Sequence, residues 1–126
     1  MLFFTHEKRL KRSARRLKNA LAKHGYVLQY IRCLDLMARL YGFADFHHWK
    51  HTAWDGPLGP FDEDLADGNY EARFQRQERL MAEAGFASVA GLVLDEVNPT
   101  SRRGQPLRSG DESEGDTAPI RTSARE

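Results

Sequence analysis

Seven cations crowd into eleven residues near the start of the chain: Lys8, Arg9, Lys11, Arg12, Arg15, Arg16 and Lys18, with Lys23 one helical turn beyond. Ammonium and guanidinium groups at this density bind phosphates or carboxylates, and the residues between them set the geometry. On a helix these seven make seven like-charge pairs at spacings of three or four, each unfavourable by about 0.2–0.5 kcal/mol. Something negative should relieve the strain. It could be a nucleic acid, at four or five phosphates, an acidic protein, or the chain's own carboxylates folded across the helix. The sequence leaves all three open.

A second cluster lies in "LYGFADFHHWKHTAW", residues 40–54. His47 and His51 are four apart and share one helical face, a chelating geometry for zinc or nickel. Zinc takes three or four ligands, so Asp45 or Asp55 would have to complete the set, while His48 points about 100° away. The HExxH pattern of metalloproteases also fails, because position 48 is His where a general-base Glu is needed. The simpler reading is a corner between two helices. "DEDLADGN" at 62–69 resembles a calcium loop only superficially, since Arg73 stands where the bidentate Glu belongs. Cys33 is the only cysteine, which excludes an intrachain disulfide and reads as a small buried hydrophobe. With no phosphate-cradling glycine loop and no Ser/His/Asp arrangement, we expect no catalytic residue and no cofactor.

The elements that carry these residues can be placed by periodicity. Leu10, Ala14, Leu17 and Leu21 predict an amphipathic helix over 5–24, capped by Thr5 and stopped by Gly25. Ile31, Leu34, Met37, Ala38 and Tyr41 predict a second over 30–41, ended by Gly42, with Phe43 folding back. Asp45 caps a third from Phe46 to Trp54, with Phe46 and Trp49 packing inward. "DGPLGPFDEDLADGN" is a turn-rich linker. A fourth helix over 69–84 puts Tyr70, Phe74, Met81 and Ala84 inward with Gln77 on the same stripe, and Gly85 ends it. Ser88 caps a fifth over 89–97, although Gly91 and the β-branched residues of "GLVLDEV" leave a strand open there. "LMARLYGFADF" at 36–46 is echoed by "LMAEAGFASV" at 80–89, through either a degenerate duplication or the shared chemistry of helix corners.

Charge divides the 126-residue chain in the same places. Residues 1–54 carry +8, residues 55–100 carry −7, and the last 26 balance, leaving +1 overall. The expected fold is all-α, a compact bundle of four to five short helices: a basic three-helix module at 1–54, a linker at 55–68, an acidic helical hairpin at 69–100 packed on the first module, and a disordered tail at 101–126. No apolar run reaches a membrane span and "MLFF" runs straight into "THEKRLKRSARR", so a cytoplasmic protein is expected. A helix-turn-helix reading fits poorly. Where a recognition helix needs aliphatic packing, this chain has His48 and His51.

"LKRSARRLKNALAKHGYVLQYIRCLDLMARLYGFADFHHWK" resembles the glyoxalase-related small helical domain family of bacteria: a basic helix, then "aL..ALa..G", then "L.L.AR..GF.D" and an aromatic. The likeness covers residues 8 to 54. Arg73, Gln77, Leu80, Gly85, "LDEV" and "NPTSR" extend it to residue 102. Phe46 replaces the common Trp, and "QYI" at 29–31 replaces a Ser-rich helix start. The resemblance implies association with glyoxalase-superfamily proteins and no defined activity, since the catalytic glyoxalase fold needs strands and a ligand pattern absent here. The expected role is therefore a non-catalytic binding or adaptor module whose basic helix engages an acidic partner, nucleic acid or protein. The alternative is an accessory or remnant piece of a glyoxalase-type metalloenzyme in which His47 and His51 contact metal.

Overall fold

The first helix buries the stripe its spacing predicts. In the computed structural model, which describes residues 2–102, α1 spans Glu7–Lys23 and Leu10, Ala14, Leu17, Ala20 and Leu21 are all fully inaccessible. It packs against α2, Tyr30–Leu40, whose Cys33, Leu34, Leu36, Met37, Ala38 and Leu40 are buried. Ile31 is a correction: it sits in the first turn of α2 and is 55% exposed, off the face that meets α1. Both helices end in the same device. The amides of Gly42 and Phe43 reach back to the carbonyls of Arg39 and Ala38, at 2.9 and 3.0 Å, and Gly42 takes φ 106°, the left-handed value that glycine reaches without strain. Phe43 is thereby folded into the core, as expected.

The short α3, Phe46–Lys50, is held at its start by two carboxylates. Asp45 Oδ1 accepts from the His48 amide at 2.8 Å, the predicted cap, and Asp35 Oδ1 on α2 accepts from the Phe46 amide at 3.1 Å. His48 Nδ1 in turn accepts from the Ala44 amide at 2.9 Å. Phe46 and Trp49 are half-buried against the core. The helix stops at Lys50, four residues short of Trp54.

The acidic half supplies α4, Asp67–Met81, and α5, Ala90–Val97, joined by a wide turn in which Gly85 takes φ 101°. Residues 90–97 are thus helical, and Asn98, at φ 50°, closes the helix before Pro99. Neither predicted hydroxyl cap forms. His6, not Thr5, precedes α1 and makes no capping bond, and the Ser88 hydroxyl pairs with that of Tyr26 at 3.1 Å instead. The inward face of α4 also differs from expectation. Gln77 and Met81 are buried as expected, but Tyr70 is 40% exposed and Arg73 is the third buried position, four residues before Gln77.

Polar residues can occupy that face because their partners are buried with them. Arg73 Nη1 donates to the Pro60 carbonyl at 2.8 Å and to Asp62 Oδ1 at 3.0 Å, and Gln77 Nε2 donates to Thr100 Oγ1 at 3.1 Å. The Thr100 hydroxyl passes the network on to Asp62 Oδ1 at 2.8 Å. The N-terminal residues complete the core: Phe3 is 1% exposed with its amide bonded to the Tyr41 carbonyl, and Phe4 exchanges amide–carbonyl bonds with Gly59 at 2.8 and 2.9 Å. Among the described residues there is no β-strand, only this isolated bridge. No described helix is long and apolar enough to cross a membrane.

Ser101 and Arg102, expected in the tail, are instead held by the fold. Ser101 is buried, its hydroxyl donating to Glu63, and Arg102 is held by the Glu63 and Asp64 carboxylates. Residues 103–126 lie outside the described residues.

Candidate acidic-partner interface on the first helix

The cations of α1 separate into two rows. Arg9, Arg16 and Lys23 recur every seven residues, which places them on one edge of the helix, and that edge meets the end of α5. Arg9 Nη2 donates to the carbonyls of Pro99 and Ser101 at 3.0 and 2.9 Å, Arg16 Nη2 to the Glu96 carbonyl at 3.0 Å, and Lys23 Nζ to the Glu96 carboxylate at 2.6 Å. The carbonyl end of α5 carries partial negative charge, so cations are favourable there. Arg76 of α4 serves α2 in the same way, with Nη2 3.1 Å from the Arg39 carbonyl.

Arg9 is the one predicted partner-binding residue that the structure withdraws from the surface. It is only 6% exposed, with its guanidinium 5.5 Å from the Phe3 ring centre and 5.6 Å from that of Phe61. Its guanidinium lies buried beside the Tyr41 hydroxyl, which also faces Ser13. Spacing alone could not show this, because Arg9 lies at the boundary between the apolar stripe and the basic arc.

The second row looks outward. Lys8, Arg12, Arg15 and Lys18 centre roughly 95° round the helix from that edge, away from the apolar stripe, and extend about 15 Å along the helix axis. Lys8, Arg15 and Lys18 are exposed and Arg12 half-buried, and no ion pair or side-chain hydrogen bond to any of the four is made among the described residues. Lys11, within the same arc, pairs with Glu7 at 2.8 Å, and Lys50 of α3 reaches the same carboxylate at 3.2 Å. The hydrogen bond from Lys11, seconded by that from Lys50, holds the Glu7 carboxyl below its ordinary value.

The acidic segment does not dock across this row. Asp62 meets Arg73, Asp64 meets Arg102, and Glu83 approaches Arg39 at 3.9 Å. Glu96 is the carboxylate of residues 55–100 seen in an ion pair with α1 among the described residues, and it serves Lys23 on the edge that meets α5.

Two recesses open beside the N-terminal turn of α1. One is a notch of about 270 Å³ lined by Lys8, Arg9, Arg12, Leu58 and Phe61 with Thr5 and His6. The other is a cleft of about 650 Å³ between the N-terminal segment, α3 and the 52–58 loop. Four aromatic rings line it, those of Phe4, Phe43, Trp49 and Trp54, together with Glu7, Lys50 and Asp55. Trp54 stacks on Phe4 with ring centres 4.0 Å apart, and Gly56 lies so close to the indole that a Cβ there would sit 2.6 Å from Cζ2. The crowding of rings at 40–54 was visible in the sequence. The contribution of Phe4 had no sequence signal, because it arrives from the other end of the module.

His47 and His51 are brought together, with ring centres 4.3 Å apart. Among the described residues no third His, Cys, Asp or Glu joins them to make a group of three, and Asp45 is engaged as the α3 cap. Cys33 is buried, which pushes its thiol up and disfavours the reactive thiolate. Neither arrangement assembles a nucleophile with a base.

No family model, no curated protein and no solved structure matches this chain.

Proposed function

We propose that the chain is a non-catalytic binding module that presents the outward row of α1, Lys8, Arg12, Arg15 and Lys18, to an acidic partner. The observation that carries this reading is the missing internal counter-charge. Ten carboxylates lie between residues 55 and 100, yet among the described residues none is paired with these four cations. The like-charge pairs that remain along the row are relieved when a polyanion binds.

The test is binding to heparin and to short oligonucleotides at several salt concentrations. Four phosphate contacts give a log–log salt slope of roughly −3. Changing Lys8, Arg12, Arg15 and Lys18 together to Glu abolishes binding, whereas changing Lys23 has little effect. Salt-independent binding, or binding that survives the fourfold change, overturns the proposal.

The glyoxalase-related resemblance supports a second reading, an accessory domain of a metalloenzyme, and the adjacency of the His47 and His51 rings is its one structural support. Stoichiometric uptake of a divalent metal that is lost in His47→Ala is the result that would favour it.

A further inference from the structure

We infer that the aromatic cleft takes an unpaired nucleobase, so that the acidic partner is single-stranded nucleic acid; this rests on the binding role proposed for α1. The cleft and the cationic notch are neighbours, since Thr5, His6 and Leu58 line both. A ligand lying across that shared wall places one part against the rings of the cleft and another against Lys8 and Arg12. A nucleotide has this division: a planar apolar body with polar edges, joined to a phosphate.

The dimensions agree. The cleft, at about 650 Å³, falls within the range of about 300–1,000 Å³ typical of small-ligand sites. Trp49 and the stacked pair of Trp54 and Phe4 supply apolar ring surface of the kind on which single-strand binders hold bases, with the buried Phe43 edge-on to Phe4.

The charges within the cleft also distinguish base from phosphate. Glu7 and Asp55 line it together with Lys50, whose charge is matched by Glu7, so that Asp55 is the lining carboxylate without an ion pair among the described residues. Carboxylates repel a phosphate but accept hydrogen bonds from the exocyclic amino group of cytosine. The phosphate is thereby directed to the notch, where Lys8 and Arg12 have no counter-charge among the described residues. Beyond it, Arg15 and Lys18 continue the row for the following phosphates. A duplex cannot use the cleft because its bases are stacked and paired.

The chain's two tryptophans, Trp49 and Trp54, both line this cleft, so intrinsic fluorescence reads its occupancy directly. The experiment titrates the full chain with three probes: a short oligo-dC strand, an abasic strand of equal length that keeps the phosphates, and heparin. Base–aromatic contact predicts that oligo-dC binds at least about fivefold tighter than the abasic strand, and that only oligo-dC quenches tryptophan emission.

If all three probes bind with the same salt dependence and none quenches, the cleft takes no base and this inference falls while the role of α1 stands. If none binds, both fall. Trp49→Ala, checked for retained helicity, should remove the oligo-dC advantage and leave heparin affinity unchanged. An advantage that persists in that variant, without quenching, also overturns the inference.

Discussion

Arg9 Nη2 donates to the Ser101 carbonyl at 2.9 Å, tying the first turn of α1 to the last buried residue of the described chain. Arg15, six residues along the same helix, makes no such contact. Arg9→Ala should therefore cost about 2–4 kcal/mol, because the Pro99 and Ser101 carbonyls lose a charged donor inside the fold and the space beside the Phe3 and Phe61 rings empties. Arg15→Ala should change stability by no more than about 0.5 kcal/mol while weakening polyanion binding. Urea unfolding of the two variants separates the structural arginine from the binding one, and equal losses would contradict the division of α1 into two rows.

Asp62 accepts from both Arg73 and Thr100 in a largely buried setting. Removing it strands a guanidinium that is only 5% exposed at its side chain. Asp62→Ala should cost about 3 kcal/mol or more, and the double change Asp62→Ala with Arg73→Met should cost less than the sum of the single changes, since no uncompensated charge stays behind. Additive losses in a double-mutant cycle would show that the pair is not coupled.

These two arginines also show what the sequence could reveal. The apolar stripe of α1, the glycine stops at Gly25, Gly42 and Gly85, and the Asp45 cap are local features, set by residues within a turn or two of each other, and all were legible. The inner face of α4 was so only in part. Gln77 and Met81 fall on the stripe that periodicity gives, but Arg73 reads as solvent-facing because a charged residue scores outward, and the partners of Arg73 and Gln77 at Pro60, Asp62 and Thr100 lie 11 to 23 residues away. The outward cations of α1 were legible as a group, but the withdrawal of Arg9 depended on contacts across 90 and 92 positions. The cleft required Phe4 to meet Trp54, a juxtaposition that no spacing rule encodes.

Asp45 orients α3 and with it Trp49, a wall of the cleft. Asp45→Ala should cost about 1 kcal/mol and shift tryptophan emission to longer wavelength as the short helix frays. Asp45→Asn, which keeps an acceptor, should largely restore both. An unchanged emission spectrum in the alanine variant would mean that α3 does not need this cap.

Alkaline pH should weaken the fold. Burial raises the Tyr41 phenol above its ordinary value of about 10 and the Cys33 thiol above its ordinary value of about 8.5. Both groups are neutral in the fold, so their contribution is complete below those ordinary values. It is lost as pH climbs from there through the raised folded values, because the unfolded chain ionises first. Tyr41→Phe removes the titrating hydroxyl, which faces Ser13 and Arg9, and should flatten the upper part of this decline. Stability measured by denaturant at stepped pH would show it, and a decline identical in Tyr41→Phe would exclude Tyr41 as a source.

Phe3 and Ser101 both lie against the Arg9 side chain, one at its ring face and the other through a carbonyl. The smallest autonomous piece must then run from at least Phe3 to Ser101. A cut in the exposed Trp54–Leu58 loop would leave two fragments that hold together only by reassociating, and each alone would expose an arginine cut off from its carbonyl partners.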